Sequence, residues 1–101
     1  MNDDARIADA RDRLAELRQG FAGRLRERVD ELDAAVAAVD DRQPAAVSKV
    51  EHLAHKLAGT AGSYGFHEVG EIAAELEALC GTGFDTAKAV GIAERLRASL
   101  G

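Results

Sequence analysis

The sequence predicts an all-α protein, an antiparallel up-down four-helix bundle with an additional N-terminal helix. Apolar residues recur at spacings of three and four along almost the whole chain, which is typical of amphipathic helices. Strand signals, meaning β-branched residues alternating between turn residues, are missing. The 101 residues include one proline and no tryptophan. This length suffices for about one domain with a single modest core.

The first predicted helix covers residues 1–20. Its apolar stripe comprises Ile7, Ala10, Leu14 and Leu17. Asp3 and Asp4 suit a helix N-terminus because they complement the helix dipole. The next apolar stripe comprises Phe21, Leu25, Val29, Leu32, Val36 and Val39. Gly20 and a change of phase near Arg24 favour two helices, and one long helix is the alternative.

The four helices of the predicted bundle occupy residues 21–101. Asp40 and Asp41 interrupt the pattern, and Pro44 fits the first turn of the next helix. That helix has a stripe of Val47, Val50, Ala54, Leu57 and Ala61. A break at Ser63 to Gly65 precedes a helix with Phe66, Val69, Ile72, Leu76 and Leu79 on its stripe.

The boundary before the last predicted helix is marked by two capping residues. Gly81 is the expected C-terminal cap of the preceding helix, and Asp85 is the expected N-cap of the last one. The last stripe comprises Ala89, Ile92, Ala93, Leu96 and Leu100. Short connections between amphipathic helices favour antiparallel neighbours, hence a single up-down bundle.

Composition excludes several classes of function. The net charge of −5 and the lack of a basic cluster argue against binding to nucleic acid or an anionic membrane. No apolar run is long enough for a membrane-spanning helix or a secretory signal. Cys80 is the single cysteine, so it forms no internal disulfide and is expected to be a small core residue. A cytoplasmic location is expected.

His55 lies off the apolar stripe of its helix. At about 100° per residue, it points roughly 120° away from the centre of that stripe. It is therefore not expected to be a buried packing histidine. The residues within about 60° of it are Ser48, Glu51, His52, Ala58, Gly59 and Gly62. Gly59 and Gly62 would each cost a helix interior roughly 1 kcal/mol relative to alanine.

The position of these two glycines indicates that they serve a function. They clear the histidine face on its C-terminal side, where an approaching partner would otherwise meet side chains. The alternative is that they permit close packing between helices, which their position off the core stripe makes less favourable. Gly65 is expected to belong to the break that follows.

An exposed imidazole offers one unprotonated ring nitrogen as a nucleophile. Glu51, one turn earlier, is positioned to accept a hydrogen bond from the other nitrogen and fix the tautomer, although a solvated surface carboxylate is the alternative. Lys56 lies about 100° around the helix and has the length to reach a phosphoryl group. A solvated surface lysine is again the alternative.

The segment AHKLAGTAGSYGF, residues 54–66, resembles the signature of histidine phosphotransfer (HPt) domains. The positions that carry the resemblance are His55, Leu57, Gly59, Ala61 and Gly65. The upstream segment RLRERVDELDAAVAAVDD also looks like the helix that precedes the family's histidine helix. The resemblance extends over roughly residues 21–100 and departs from many members at Ala58, where they have lysine.

The resemblance implies a four-helix bundle that carries a phosphoryl group on the Nε2 atom of His55. Such a carrier passes the group between aspartates of receiver domains in a two-component phosphorelay. It implies partners of two kinds, response-regulator receivers and a hybrid histidine kinase. It also implies that Gly59 admits the receiver's loops, and that Lys56, His52 or the partner supplies the charge that is missing at Ala58.

No enzyme activity and no bound cofactor are expected of this chain. It has no Gly-rich nucleotide loop, no acidic cluster for magnesium and no kinase segments, so the receiver is expected to supply the aspartate and the magnesium ion. A metal site built from His52, His55 and His67 is disfavoured because the Glu-x-x-His pairs of di-iron bundles are missing. His67 is expected on the surface.

A second hypothesis is an interaction module, a helical bundle that binds receivers or partner helices without accepting phosphate. The presence of His55 favours the carrier. The stripe of Ile7, Leu14 and Leu17 is available to pack on the bundle or to pair with another chain, and a monomer is expected. Met1 at the start and only Gly101 after the last stripe favour a free-standing protein.

Overall fold

The computed structural model describes residues 3–39 and 43–100, and all regular structure in them is helical. The four helices are α1 (Asp3–Ala37), α2 (Pro44–Ser63), α3 (His67–Thr82) and α4 (Thr86–Ala98). The predicted all-α class is confirmed. Asp40 and Asp41 lie outside the described residues, and Pro44 occupies the first turn of α2 as predicted. None of the four helices is long and apolar enough to cross a membrane.

The prediction of an additional N-terminal helix is wrong, because the two helices expected before Asp40 form the single helix α1. Gly20 lies inside α1 and does not interrupt it. One glycine costs a helix about 1 kcal/mol, and α1 contains neither a proline nor a residue with a positive φ angle that would favour a break. Among the described residues, only Gly65 and Gly83 have a positive φ.

The helices form a ring around one apolar core. α1 and α3 each pack against both α2 and α4, and the short connections at residues 64–66 and 83–85 turn the chain back on itself. The largest fully buried side chains are Phe21, Leu32, Leu76, Leu96, Val29 and Val50. All of these residues belong to the predicted stripes.

α1 extends well beyond the other three helices. Its first buried residue is Phe21, and residues 4–20 are all exposed. The described chain is therefore 64 Å long and only about 20 Å wide. At its entry into the bundle, the Phe21 ring stacks on Tyr64 with 4.5 Å between centroids.

The predicted break after α2 is a helix-terminating turn at Gly65. Gly65 has a φ of +84°, a conformation that glycine adopts without the penalty of a Cβ atom. The amide of Phe66 donates to the carbonyl of Ala61 at 2.9 Å, and the amide of Gly65 donates to that of Gly62 at 3.1 Å. This pair of bonds is a Schellman motif, and it sets the direction in which α3 returns along α2.

The glycine that caps the end of α3 lies two residues after the predicted one. Gly81 lies within α3, which ends at Thr82, and Gly83 (φ +121°) takes the capping position instead. The predicted N-cap of α4 is confirmed, because the Asp85 carboxylate accepts a 3.1 Å hydrogen bond from the amide of Lys88.

Candidate functional site

His55 lies on the solvent side of α2. Its side chain is 72% exposed, whereas Val50, Ala54, Leu57 and Ala61 on the opposite side of the helix are buried. The separation follows from the helical period, since His55 falls outside the stripe that faces the core. The imidazole is therefore accessible to a macromolecular partner.

Glu77 of α3 holds the imidazole from across the helix interface. The distance from His55 Nδ1 to Glu77 Oε2 is 2.5 Å, and the Glu77 side chain is 32% exposed. An ionised carboxylate only accepts hydrogen bonds, so Nδ1 carries the hydrogen. In the neutral imidazole, this tautomer leaves the lone pair on Nε2, the nitrogen that does not contact Glu77.

Glu51 does not have the role proposed for it from the sequence. Among the described residues, the carboxylate bonded to His55 belongs to Glu77, on α3, and Glu51 on α2 makes no such bond. Periodicity within one helix cannot reveal a contact between residues that are 22 positions apart. A signal was nevertheless present, because Glu77 lies one heptad after Gly70 and shares its side of the helix.

Gly70 brings α3 close to α2. A methyl group on Gly70 would lie 3.2 Å from the carbonyl oxygen of Ala58 and 3.4 Å from the amide nitrogen of Gly62. Glycine is therefore the residue that fits this crossing without displacing backbone. The close approach places the Glu77 side of α3 beside the His55 side of α2.

The structure distinguishes the two glycines that follow His55. Gly59 is exposed, whereas Gly62 is partly buried beside Gly70. A methyl group on either Gly59 or Gly62 would meet nothing within 4 Å, so helix packing does not require glycine at either position. Gly59 thus leaves the surface one turn after His55 free of a side chain, whereas Gly62 borders α3.

A shallow cleft surrounds the imidazole. It is lined by Ser48, Glu51, His52, His55 and Glu77. Lys56 is exposed outside this lining and takes part in none of the ion pairs within residues 3–39 and 43–100. Ala58 is partly buried against the core. His67 is exposed at the first position of α3.

Cys80 is a partly buried neighbour of the two carboxylates. Burial raises the pKa of its thiol to about 11, and the negative charges of Glu51 and Glu77 add to this effect. The thiol is therefore protonated near neutral pH and is a poor nucleophile. Among the described residues, no group of three or more His, Cys, Asp or Glu side chains has an arrangement suited to a metal ion.

The comparison with protein families agrees with this geometry. The Hpt domain family matches residues 7–100. No curated protein and no solved structure matches the chain. Because the match runs from the projecting part of α1 past the end of α4, the chain as a whole, and not the His55 segment alone, belongs to the Hpt domain family of phosphorelay modules.

Proposed function

We propose that His55 is the phosphoacceptor of a carrier that relays a phosphoryl group between receiver-domain aspartates in a two-component phosphorelay. The observation that carries the proposal is the hydrogen bond from His55 Nδ1 to Glu77 on an otherwise exposed imidazole. It leaves Nε2 as the nucleophile and directs it away from α3. Hpt domains are phosphocarrier modules rather than kinases, and we propose no kinase activity for this chain.

The transfer step follows from the tautomer. The Nε2 lone pair attacks the phosphorus of an aspartyl phosphate, the N–P bond forms, and the P–O bond to the aspartate carboxylate breaks. The carboxylate leaves with the electron pair, and the imidazole ring becomes cationic while it keeps its Nδ1 hydrogen. Glu77 accepts that hydrogen in a charge-assisted bond, which stabilises the charge that develops on the ring.

The partner supplies what the His55 cleft lacks. Phosphoryl transfer depends on in-line positioning and on cations around the transferring group. We propose that the receiver brings the magnesium ion together with its aspartate, and that a hybrid histidine kinase supplies the phosphoryl group upstream. Such relays operate in the cytoplasm, which is the compartment we propose for this chain.

Three residues of this chain contribute to the proposed docking surface. Gly59 is exposed and leaves space for the receiver's loops beside the imidazole. Lys56 and His52 are exposed on either side of His55 and are the basic side chains nearest to it along α2. They stand in for the lysine that many relatives have where this chain has Ala58.

The test is phosphorylation by a receiver domain that has been charged with a small-molecule phosphodonor. We expect phosphate on the wild-type chain that is labile in acid and stable in alkali. His55→Gln should abolish it, whereas the matched controls His52→Gln and His67→Gln should keep it. Phosphorus NMR should assign the phosphate to the Nε2 isomer.

The same experiment separates the carrier from the interaction module. Labelling that survives in His55→Gln would overturn the assignment of His55. A wild-type chain that binds receivers but takes no phosphate from any receiver of its host would favour the interaction module instead.

A further inference from the structure

The N-terminal half of α1 carries an apolar stripe that no described part of the chain covers. Ile7, Leu14 and Leu17 are 50%, 66% and 54% exposed. With Ala10 they repeat at alternating spacings of three and four, the a and d positions of a heptad pattern. A stripe of two residues per heptad is the narrow seam of a coiled coil, whereas a helix on a globular core or a lipid surface has a wider apolar face. We call Ile7, Ala10, Leu14 and Leu17 the N-terminal seam.

Arginines flank the N-terminal seam on both sides. Arg6 and Arg13 lie about 60–80° to one side of its centre, and Arg11 and Arg18 lie as far to the other. The acidic residues that point away from it, by about 120° or more, are Asp9, Asp12 and Glu16. The helix thus presents an apolar seam with four arginines on its margins. Three of the four acidic residues between positions 4 and 20 lie on the far side, and the fourth, Asp4, lies about 100° from the seam centre.

The arginines on the margins form no ion pair within the described part of the chain. None of the ion pairs within it involves Arg6, Arg11 or Arg13. The Arg18 guanidinium lies over the Phe66 ring, 4.8 Å from its centroid. This contact anchors one margin to the end of the bundle, and it leaves the guanidinium positively charged.

A second copy of this chain is a poor occupant of the N-terminal seam. In a parallel pair, residues at g positions face e positions of the next heptad. Arg6 would therefore face the second copy's Arg11, and Arg13 would face its Arg18. In an antiparallel pair, g positions face g positions and e positions face e positions, so arginines would again face arginines. Like charges at these positions disfavour the pairing.

We propose that the N-terminal seam docks an amphipathic helix of a different protein, with leucine-like residues at a and d and acidic residues on both margins. Such a helix would bury Leu14 and Leu17 and pair its carboxylates with the arginines, so that charge selects the partner. The seam shares no residue with the cleft around His55. It therefore serves as a second docking surface, independent of the phosphoryl chemistry.

The test uses the full chain and two synthetic helical peptides of four heptads. Both peptides have leucine at a and d, and they differ only in glutamate or lysine at e and g. We expect the glutamate peptide to bind at least about tenfold more tightly by titration calorimetry, since four opposed pairs at about 0.3–0.5 kcal/mol each amount to about a factor of ten. Its affinity should fall between low and high salt.

Variants of the full chain locate the binding surface. Leu14→Asp combined with Leu17→Asp should abolish peptide binding while the helical circular dichroism and the labelling of His55 persist. Arg11→Glu combined with Arg13→Glu turns two of the four margin arginines into carboxylates and should abolish the preference for the glutamate peptide. The matched control on the far side, Asp12→Asn combined with Glu16→Gln, should keep the original preference.

Three outcomes would overturn the proposal. The first is equal or tighter binding of the lysine peptide. The second is a stable dimer of the chain alone at low micromolar concentration that Leu14→Asp dissociates. The third is Leu14-dependent binding to phosphatidylserine vesicles without any binding of the glutamate peptide, which would make the stripe a lipid-binding face.

Discussion

His55 and Glu77 form the central pair at the scale of single residues. The imidazole is 72% exposed, yet one of its nitrogens is held by a carboxylate that is only 32% exposed. The exposed ring is accessible to a partner, and the less exposed carboxylate on the neighbouring helix limits the ring's rotation. The His55 cleft also holds Glu51, so a phosphoryl group transferred as we propose would approach a surface with carboxylates and few cations. We infer that cations from the partner dominate the electrostatics of transfer.

Glu77→Gln should slow phosphorylation of His55 by about fivefold, equivalent to about 1 kcal/mol, because the hydrogen bond loses its charge. Solvent around the exposed imidazole limits the effect to this size. The measurement is the single-turnover rate of transfer from a phosphorylated receiver. Nitrogen NMR of the His55 ring should also show the population of the Nδ1–H tautomer falling.

Glu51→Gln is the matched control for this prediction. It removes a carboxylate from the same cleft without touching the bond to His55, so both the rate and the tautomer should stay within about twofold of wild type. Equal effects of the two variants would mean that the cleft acts through its net charge and that Glu77 does not orient the ring.

At the scale of elements, α2 and α3 form the unit that builds the site. The Schellman turn at Gly65 reverses the chain, and Gly70 lets the two backbones come close enough for Glu77 to reach His55. Glycine thus has three different roles within twelve residues. Gly59 leaves the surface open, Gly65 adopts a positive φ angle, and Gly70 removes a side chain from a helix crossing.

Alanine at Gly59 and at Gly70 should change stability in opposite directions. Gly59→Ala should raise the free energy of unfolding by about 0.5–1 kcal/mol, because its methyl group meets nothing and alanine favours helix. Gly70→Ala should lower it by about 1 kcal/mol, because the methyl group would press on the backbone at Ala58 and Gly62. Urea unfolding followed by circular dichroism measures both.

A larger residue at Gly59 separates packing from docking. Gly59→Leu should leave the free energy of unfolding at or above that of wild type, while weakening the interaction with the receiver. Unchanged transfer kinetics in Gly59→Leu would contradict the proposal that Gly59 admits the partner.

At the scale of the whole molecule, the described chain divides into a bundle and a projecting helix. The buried core begins at Phe21, and residues 4–20 contribute no buried side chain to it. An exposed helix of this length is marginal by itself in water. Its continuity with the packed half of α1 supplies the helix nucleus that it would otherwise lack.

Deletion of residues 1–17 should change the free energy of unfolding of the bundle by less than about 1 kcal/mol, because residues 4–17 bury no side chain in the core. Thermal unfolding should remain cooperative, and transfer to His55 should persist. Phe21→Ala is the contrasting variant, with an expected loss of about 3 kcal/mol, because its ring is 1% exposed. A deletion that costs as much as Phe21→Ala would show that the segment belongs to the core.

The sequence by itself determined the helical class, the apolar faces of the helices and the exposure of His55. Each depends on local spacing, since a period of 3.6 residues assigns every position on a helix to a face. The resemblance around His55 also led to the correct family, because its pattern of histidine and glycines is contiguous in the chain. The end of α2 at Gly65 was likewise predictable, because the turn there depends on the glycine itself.

Tertiary structure decided which carboxylate bonds to His55 and which glycine is needed for the close packing of two helices. Gly59 and Gly70 are the same residue type, and only the neighbouring helix distinguishes the open surface at Gly59 from the close helix crossing at Gly70. Glu77 reaches His55 because Gly70 admits the backbone of α2. These outcomes depend on contacts between residues far apart in the chain, which no periodicity within a single helix encodes.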